Sequence, residues 1–167
     1  MIKKFIDEYK RNKNIKYIKS ICKECGENLT INGYSVVNKN TFLGNNVNFN
    51  GMTVIGNGEL FIGDNFHSGE ACYIITDTHN YDSGDSIPYD SKKSIARKTI
   101  IEDNVWLGVG VIILPGAFIH EGAIIQAGSV VCGTIPACAI AGGHPAKVFK
   151  YRDIEHYYRL KKEGKFF

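Results

Sequence analysis

The chain has 167 residues, 44% of them hydrophobic and 22% charged, which suffices for one folded unit with its own core and is typical of a soluble globular protein. A net charge of +3 gives no reason to expect nucleic acid as a partner, although a local basic cluster could still serve a small anion. No apolar run is long enough for a membrane span, the N-terminal "MIKKFIDEYKRNKNIKYIKS" is too charged for a signal peptide, and five cysteines, an odd number, fit reduced thiols in the cytoplasm.

The first segment, 1–22, is expected to be helical over 2–20, with Ile2, Phe5, Ile6 and Tyr9 on one apolar face. Cys22 and Cys25 then form a C-x-x-C. No second pair or nearby histidine completes a zinc site, so no metal is expected.

From Cys25 onward the chain repeats with a period of six. Cys25, Ile31, Val37, Leu43, Phe49 and Ile55 mark the step, with Leu29, Ser35, Thr41, Val47, Thr53 and Glu59 four places later. The phase slips by one near Phe61 and continues through Ile62, Ser68 and Ile74. It then fails at Asn80 and resumes as Ile101, Leu107, Ile113, Ile119, Ile125 and Val131.

A helix would space apolar residues by three and four, and a flat strand alternates every two. A short strand plus a corner gives six, and three such sides give a coil of eighteen. Stacked coils make a parallel β-helix in which Ile101 lies over Ile119, Leu107 over Ile125 and Ile113 over Val131. About five coils are expected over 25–152. Gly44-Asn45, Gly56-Asn57 and Gly63-Asp64 suit its corners. The last segment, 153–167, reads as a helix over 153–163 with Asp153 as N-cap.

The tract "IEDNVWLGVGVIILPGAFIHEGAIIQAGSVVCGTIPACAIAGGHPAKVFKYR" resembles the hexapeptide-repeat acyltransferases. It is most similar to the maltose, galactoside, xenobiotic and capsular-sugar O-acetyltransferases, over about residues 40–152, on the markers "NVWLG", "AGSVV" and "GGHPAKV". The resemblance implies an all-β, left-handed parallel β-helix, acetyl-CoA as donor, a homotrimer and active sites between protomers. Left-handed coils run against the usual right-handed crossover, so periodicity alone does not supply them.

The interruption "ITDTHNYDSGDSIPYD" carries His79 at the head of a loop, 79–99, that leaves the regular wall. A solenoid wall has no enclosed pocket, whereas such a loop can close a cleft against a neighbouring chain. The family places a histidine in an excursion before its "VW-G" coil, which implies that His79 is the general base. An imidazole that is mostly neutral near pH 7 can take the proton of an attacking hydroxyl, and its second nitrogen needs a partner. Asp77, Asp82 or a backbone carbonyl could serve.

For the donor, the resemblance points to Trp106 and to the small residues Ala127 and Gly128 along a coil edge, and charge points to the basic cluster of Lys147 and Lys150, with Arg152 beside them, for phosphates. Val109, Cys132 and Gly133 depart from the family pattern and are not assigned to it. For the acceptor, a saccharide or nucleotide-linked sugar, Asp64, Asn65, His67, Tyr81 and Asp82 are the candidates. Lys92, Lys93, Arg97 and Lys98 give the loop a positive face. The rival readings are an N-acetyltransferase of a nucleotide-linked amino sugar, a non-catalytic scaffold and a metal-dependent lyase. For the last, the paired histidines five residues apart are missing from the sequence.

Overall fold

The computed structural model describes residues 2–167, and side chains from residue 5 onward. Among these, three parallel faces wind into a left-handed β-helix. The first face stacks Glu24–Cys25, Thr41–Leu43, Leu60–Ile62, Thr99–Ile101, Phe118–Ile119 and Thr134–Ile135. The second stacks Thr30–Gly33, Asn48–Asn50, His67–Ser68, Trp106–Leu107, Ile124–Ile125 and Ala139–Gly143. The third stacks Met52–Ile55, Cys72–Ile75, Ile112–Ile113 and Val130–Val131. Six levels on the first face exceed the expected five coils.

The second half keeps the eighteen-residue register: Ile101 pairs with Ile119, Leu107 with Ile125 and Ile113 with Val131. Their side chains are fully buried and fill the prism. Each contributes on the order of 1.5–3 kcal/mol by leaving water.

The first half departs from the expected phase. Val54, not Ile55, points inward, because the chain shortens by one residue near Gly51. The Gly56 corner then lengthens by two before Ile62 recovers the rung under Ile101. Glu59 is exposed and Leu60 takes the inward place expected of it. The longer corner is closed by Asp77, whose carboxylate accepts from the Asn57 amide at 3.0 Å.

One corner carries an amide ladder. Asn28, Asn46, Asn65 and Asn104 all hold φ between 55° and 59°, a region that asparagine tolerates because its short polar side chain bonds locally. Each side chain donates to the next: Asn28 to Asn46 at 2.9 Å, Asn46 to Asn65 at 2.9 Å, and Asn65 to Asn104 at 3.0 Å. Asn104 donates to the Tyr157 hydroxyl at 3.0 Å. The next corner residue is Gly122, where a Cβ would lie 2.7 Å from the Tyr157 ring, so the ring occupies the place of a further rung. Tyr157→Phe is expected to leave the Asn104 amide short of a partner and cost about 1–3 kcal/mol, read as a lower urea midpoint with an unchanged slope.

Helix α1 (Ile2–Ile21) docks differently from expectation. Phe5, Ile6 and Tyr9 are exposed, and the Ile2 side chain lies outside the described residues. The buried positions are Asn14 and Ile18, with Ile15 packed beside them. Asn14 donates to the Ser35 carbonyl and accepts from the Ser35 amide, both at 2.8 Å. A polar pin therefore holds this helix, and a search for an apolar stripe passes over it. The Cys22 thiol beside Cys25 is pushed up to about 11, first by burial and then by its neighbour.

Helix α2 (Ile154–Lys162) begins at Asp153, whose carboxylate accepts from the His156 amide at 2.9 Å. It sits on the coils through Tyr157 and through Lys161, which ion-pairs with Glu121. Before it, Ala146–Tyr151 runs back antiparallel along Ala139–Gly143 and covers the edge of the second face. The parallel coils thus stop near Gly143, short of the expected 152, because Gly143, with φ of 101°, lies at the reversal.

Candidate active site

The break in the repeat is a hairpin. Asp77–Asn80 pairs antiparallel with Asp90–Ala96, and the chain rejoins the wall at Thr99, which pairs with Leu60. Ile74 and Ile101 belong to consecutive inward beats but lie 27 residues apart, so 21 residues have been inserted into one coil. His79 stands on the first hairpin strand, exposed, with its ring stacked on Tyr89 at 3.9 Å between centroids and 11° between planes. Of the partners expected for its second nitrogen, Asp77 is engaged at the Asn57 corner, and among the described residues no hydrogen bond joins Asp82 to the ring. Tyr81 and Asp82 are exposed in the hairpin tip.

The outward side of the second face carries Asn48, His67 and Trp106 in adjacent levels, in direct register. Trp106 is 51% exposed, so half of its indole is available to a ligand. These residues, with Asn65, line a cleft of about 660 Å³ whose opposite side is helix α2 and the following Lys165–Phe167. His79 does not line this cleft. Asn65 lines it but spends its amide on the ladder. Asp64 serves the neighbouring coil, accepting from the Asn45 amide at 2.6 Å, and its own amide donates to Asp103 at 2.8 Å. Both were candidates for sugar hydroxyls; each is engaged in at least one hydrogen bond within the wall.

The corner between the second and third faces is built from small residues. At Gly108 a Cβ would lie 2.5 Å from the Ala127 nitrogen, so these coils approach as closely as glycine permits. Ala127 and Gly128 are exposed on the next level, and nothing lies within 4 Å of a Cβ added to Gly128. An extended chain could run along such an edge and bond to backbone groups. Lys147 and Lys150 stand exposed on the antiparallel strand paired with Gly142 and Ile140. Arg152 is turned inward, donating to the Gly122 carbonyl at 3.1 Å and lying 5.0 Å over the Tyr157 ring.

Comparison with known proteins places this architecture. Residues 98–133 match the sequence profile of the bacterial transferase hexapeptide (six repeats). A galactoside O-acetyltransferase of Lactococcus lactis subsp. lactis (strain IL1403) is 36% identical over 139 residues, 78% of this chain and 64% of its own length. The chain thus spans just under two thirds of that relative. A provisionally named acetyltransferase of Saccharomyces cerevisiae (strain ATCC 204508 / S288c) is 33% identical over 145 residues, 83% of this chain and 71% of its own length. The chain belongs to the hexapeptide-repeat acetyltransferases. Among solved structures, a galactoside acetyltransferase in complex with coenzyme A superposes with a TM-score of 0.73 at 26% identity, covering 87% of this chain and 73% of that one.

In this hexapeptide-repeat acetyltransferase, three residues near the site had escaped sequence reasoning: Tyr89, Asn50 and Asn32. Tyr89 was legible only as an aromatic residue in the loop; its stack on His79 depends on the hairpin register. Asn50 donates to the Ser68 carbonyl at 2.7 Å and faces His67 Nε2 at 3.2 Å, and Asn32 donates to Asn50 Oδ1 at 2.9 Å. A period of six marks these positions as outward but gives them no chemistry.

Proposed function

We propose that the protein transfers the acetyl group of acetyl-CoA to a hydroxyl of a saccharide, acting as a homotrimer with active sites between protomers. The observation that carries this reading is a histidine displayed on a hairpin spliced into a solenoid that is otherwise in register above and below it. In a single chain the hairpin leaves the imidazole open on one side. A neighbouring protomer would supply the wall that excludes water.

His79 acts as general base. It takes the proton of the sugar hydroxyl as the oxygen attacks the thioester carbon, and returns that proton to the departing thiolate. Holding acceptor and thioester together removes the need for a covalent enzyme intermediate. The developing oxyanion takes a hydrogen bond from a backbone N–H of the coils. The Gly108–Ala127–Gly128 edge holds the donor's extended arm, Trp106 packs against it, and Lys147 and Lys150 meet its phosphates. Tyr81, Asp82 and His67 face the acceptor.

The test is release of free thiol from acetyl-CoA with a panel of hydroxy and amino sugars, followed by product mass, beside sedimentation of the purified protein. Sugar-dependent release with O-acetylated product and a three-chain mass is the expected result. Release with amino sugars alone would transfer the reading to N-acetylation, and no release with any sugar would overturn it.

A further inference from the structure

Asn50 fixes the hydrogen on the neighbouring imidazole. The Ser68 carbonyl can only accept, so the side-chain atom of Asn50 that lies 2.7 Å from it must be the NH₂ nitrogen. Asn32 independently fixes the same orientation, donating to Asn50 Oδ1 at 2.9 Å. That NH₂ group has one remaining hydrogen, and His67 Nε2 lies 3.2 Å away. A hydrogen on Nε2 would meet the amide hydrogen head-on, so Nε2 is bare and accepts. The ring hydrogen then sits on Nδ1, which makes no hydrogen bond among the described residues, and the ring lines the cleft beside Trp106.

We infer that His67 is a fixed hydrogen-bond donor, presenting Nδ1–H to an oxygen of the bound sugar, with Asn32 and Asn50 as the positioning residues that hold its tautomer. The ligand half of this inference rests on the saccharide reading above; the tautomer does not. The two histidines, His79 on the hairpin and His67 in the cleft, thus have opposite duties, one accepting a proton and the other donating a hydrogen bond. This division matters because a sugar presents several hydroxyls that differ mainly in position. A donor of fixed direction selects among them, whereas an imidazole free to exchange tautomers would bind either way round.

Two-bond ¹H–¹⁵N correlation spectra of the intact protein near neutral pH identify which ring nitrogen carries hydrogen. His67 is expected to show hydrogen on Nδ1 and a bare Nε2. In Asn50→Asp the group facing Nε2 can only accept, and the hydrogen is expected to move to Nε2. Hydrogen on Nε2 in the parent protein would overturn the proposal.

Kinetics with acetyl-CoA and methyl β-galactoside test the ligand half. Asparagine reaches the position of Nδ1 and glutamine that of Nε2. His67→Gln is expected to raise KM for the galactoside about ten-fold, the size of one hydrogen bond, with KM for acetyl-CoA and kcat nearly unchanged. His67→Asn is expected to recover most of that loss. Rescue by glutamine and not by asparagine would make His67 a structural partner of Asn50 and overturn its donor role. Absence of any sugar-dependent thiol release would defeat the functional reading and the ligand half with it, and the ring spectrum would still decide the tautomer.

Discussion

His79→Ala is expected to turn over about 10²–10⁴ times more slowly than the parent protein, the usual contribution of a positioned general base. Coenzyme A affinity and the unfolding midpoint should stay within experimental scatter. The ring is exposed and stacks on Tyr89, and its strand is held by backbone pairing with Asp90–Ala96. Removing it therefore opens no cavity and strands no buried group. Steady-state thiol release with the sugar selected by the panel supplies kcat, and calorimetric titration with coenzyme A supplies the affinity. A variant with near-normal kcat would take His79 out of the mechanism; a lowered unfolding midpoint would mean that the hairpin, not the chemistry, had been lost. Tyr89→Phe keeps an aromatic face against the imidazole and should retain most of the rate, because the hydroxyl plays no part in the stack.

Leu107→Ala is the substitution with the largest expected cost to the fold. Leu107 is fully buried, with Ser68 in register on one side and Ile125 on the other. Ser68 is small and its hydroxyl accepts from the Asn50 amide at 3.3 Å, so it cannot swing over to fill the space. The loss is expected at about 2–5 kcal/mol, the range for a truncated core leucine whose surroundings cannot collapse. Urea titration followed by the fluorescence of the single tryptophan, Trp106, reads it directly, since that residue is the sequence neighbour of the truncated side chain. A shift below about 1 kcal/mol would show that the coils close over the void and that the prism is softer than its packing implies.

Much of the solenoid was legible because burial on this fold is periodic. From Ile101 to Val131 every sixth residue is aliphatic and every one is buried. The family likeness supplied the hand of the coils. The period failed where the backbone changes length at corners. Val54 and Leu60 are inward because one corner lost a residue and the next gained two, and such changes leave no mark in hydrophobicity. Helix α1 was legible as a helix and misread as to its buried face, since Asn14 docks it through backbone-like hydrogen bonds.

In the site, His79 stood out because it interrupts a pattern, and Trp106 and His67 fall side by side through coil register. Asp64 and Asn65 looked available because polarity in sequence does not tell whether a side chain serves a ligand or the corner above it. The Asn32–Asn50–His67 chain links residues 17 to 18 places apart and appears only once the coils are stacked.

The ladder joins Asn65 to Asn104 across 39 positions with the same bond length, within 0.1 Å, as its neighbours 18 and 19 apart. At this corner the frame therefore closes over the excursion as though it were not there. Evolution or an engineer could trade the outer part of the hairpin for another, provided that Asp77 stays at the Gly56 corner, without renegotiating the stability of the spool that carries it.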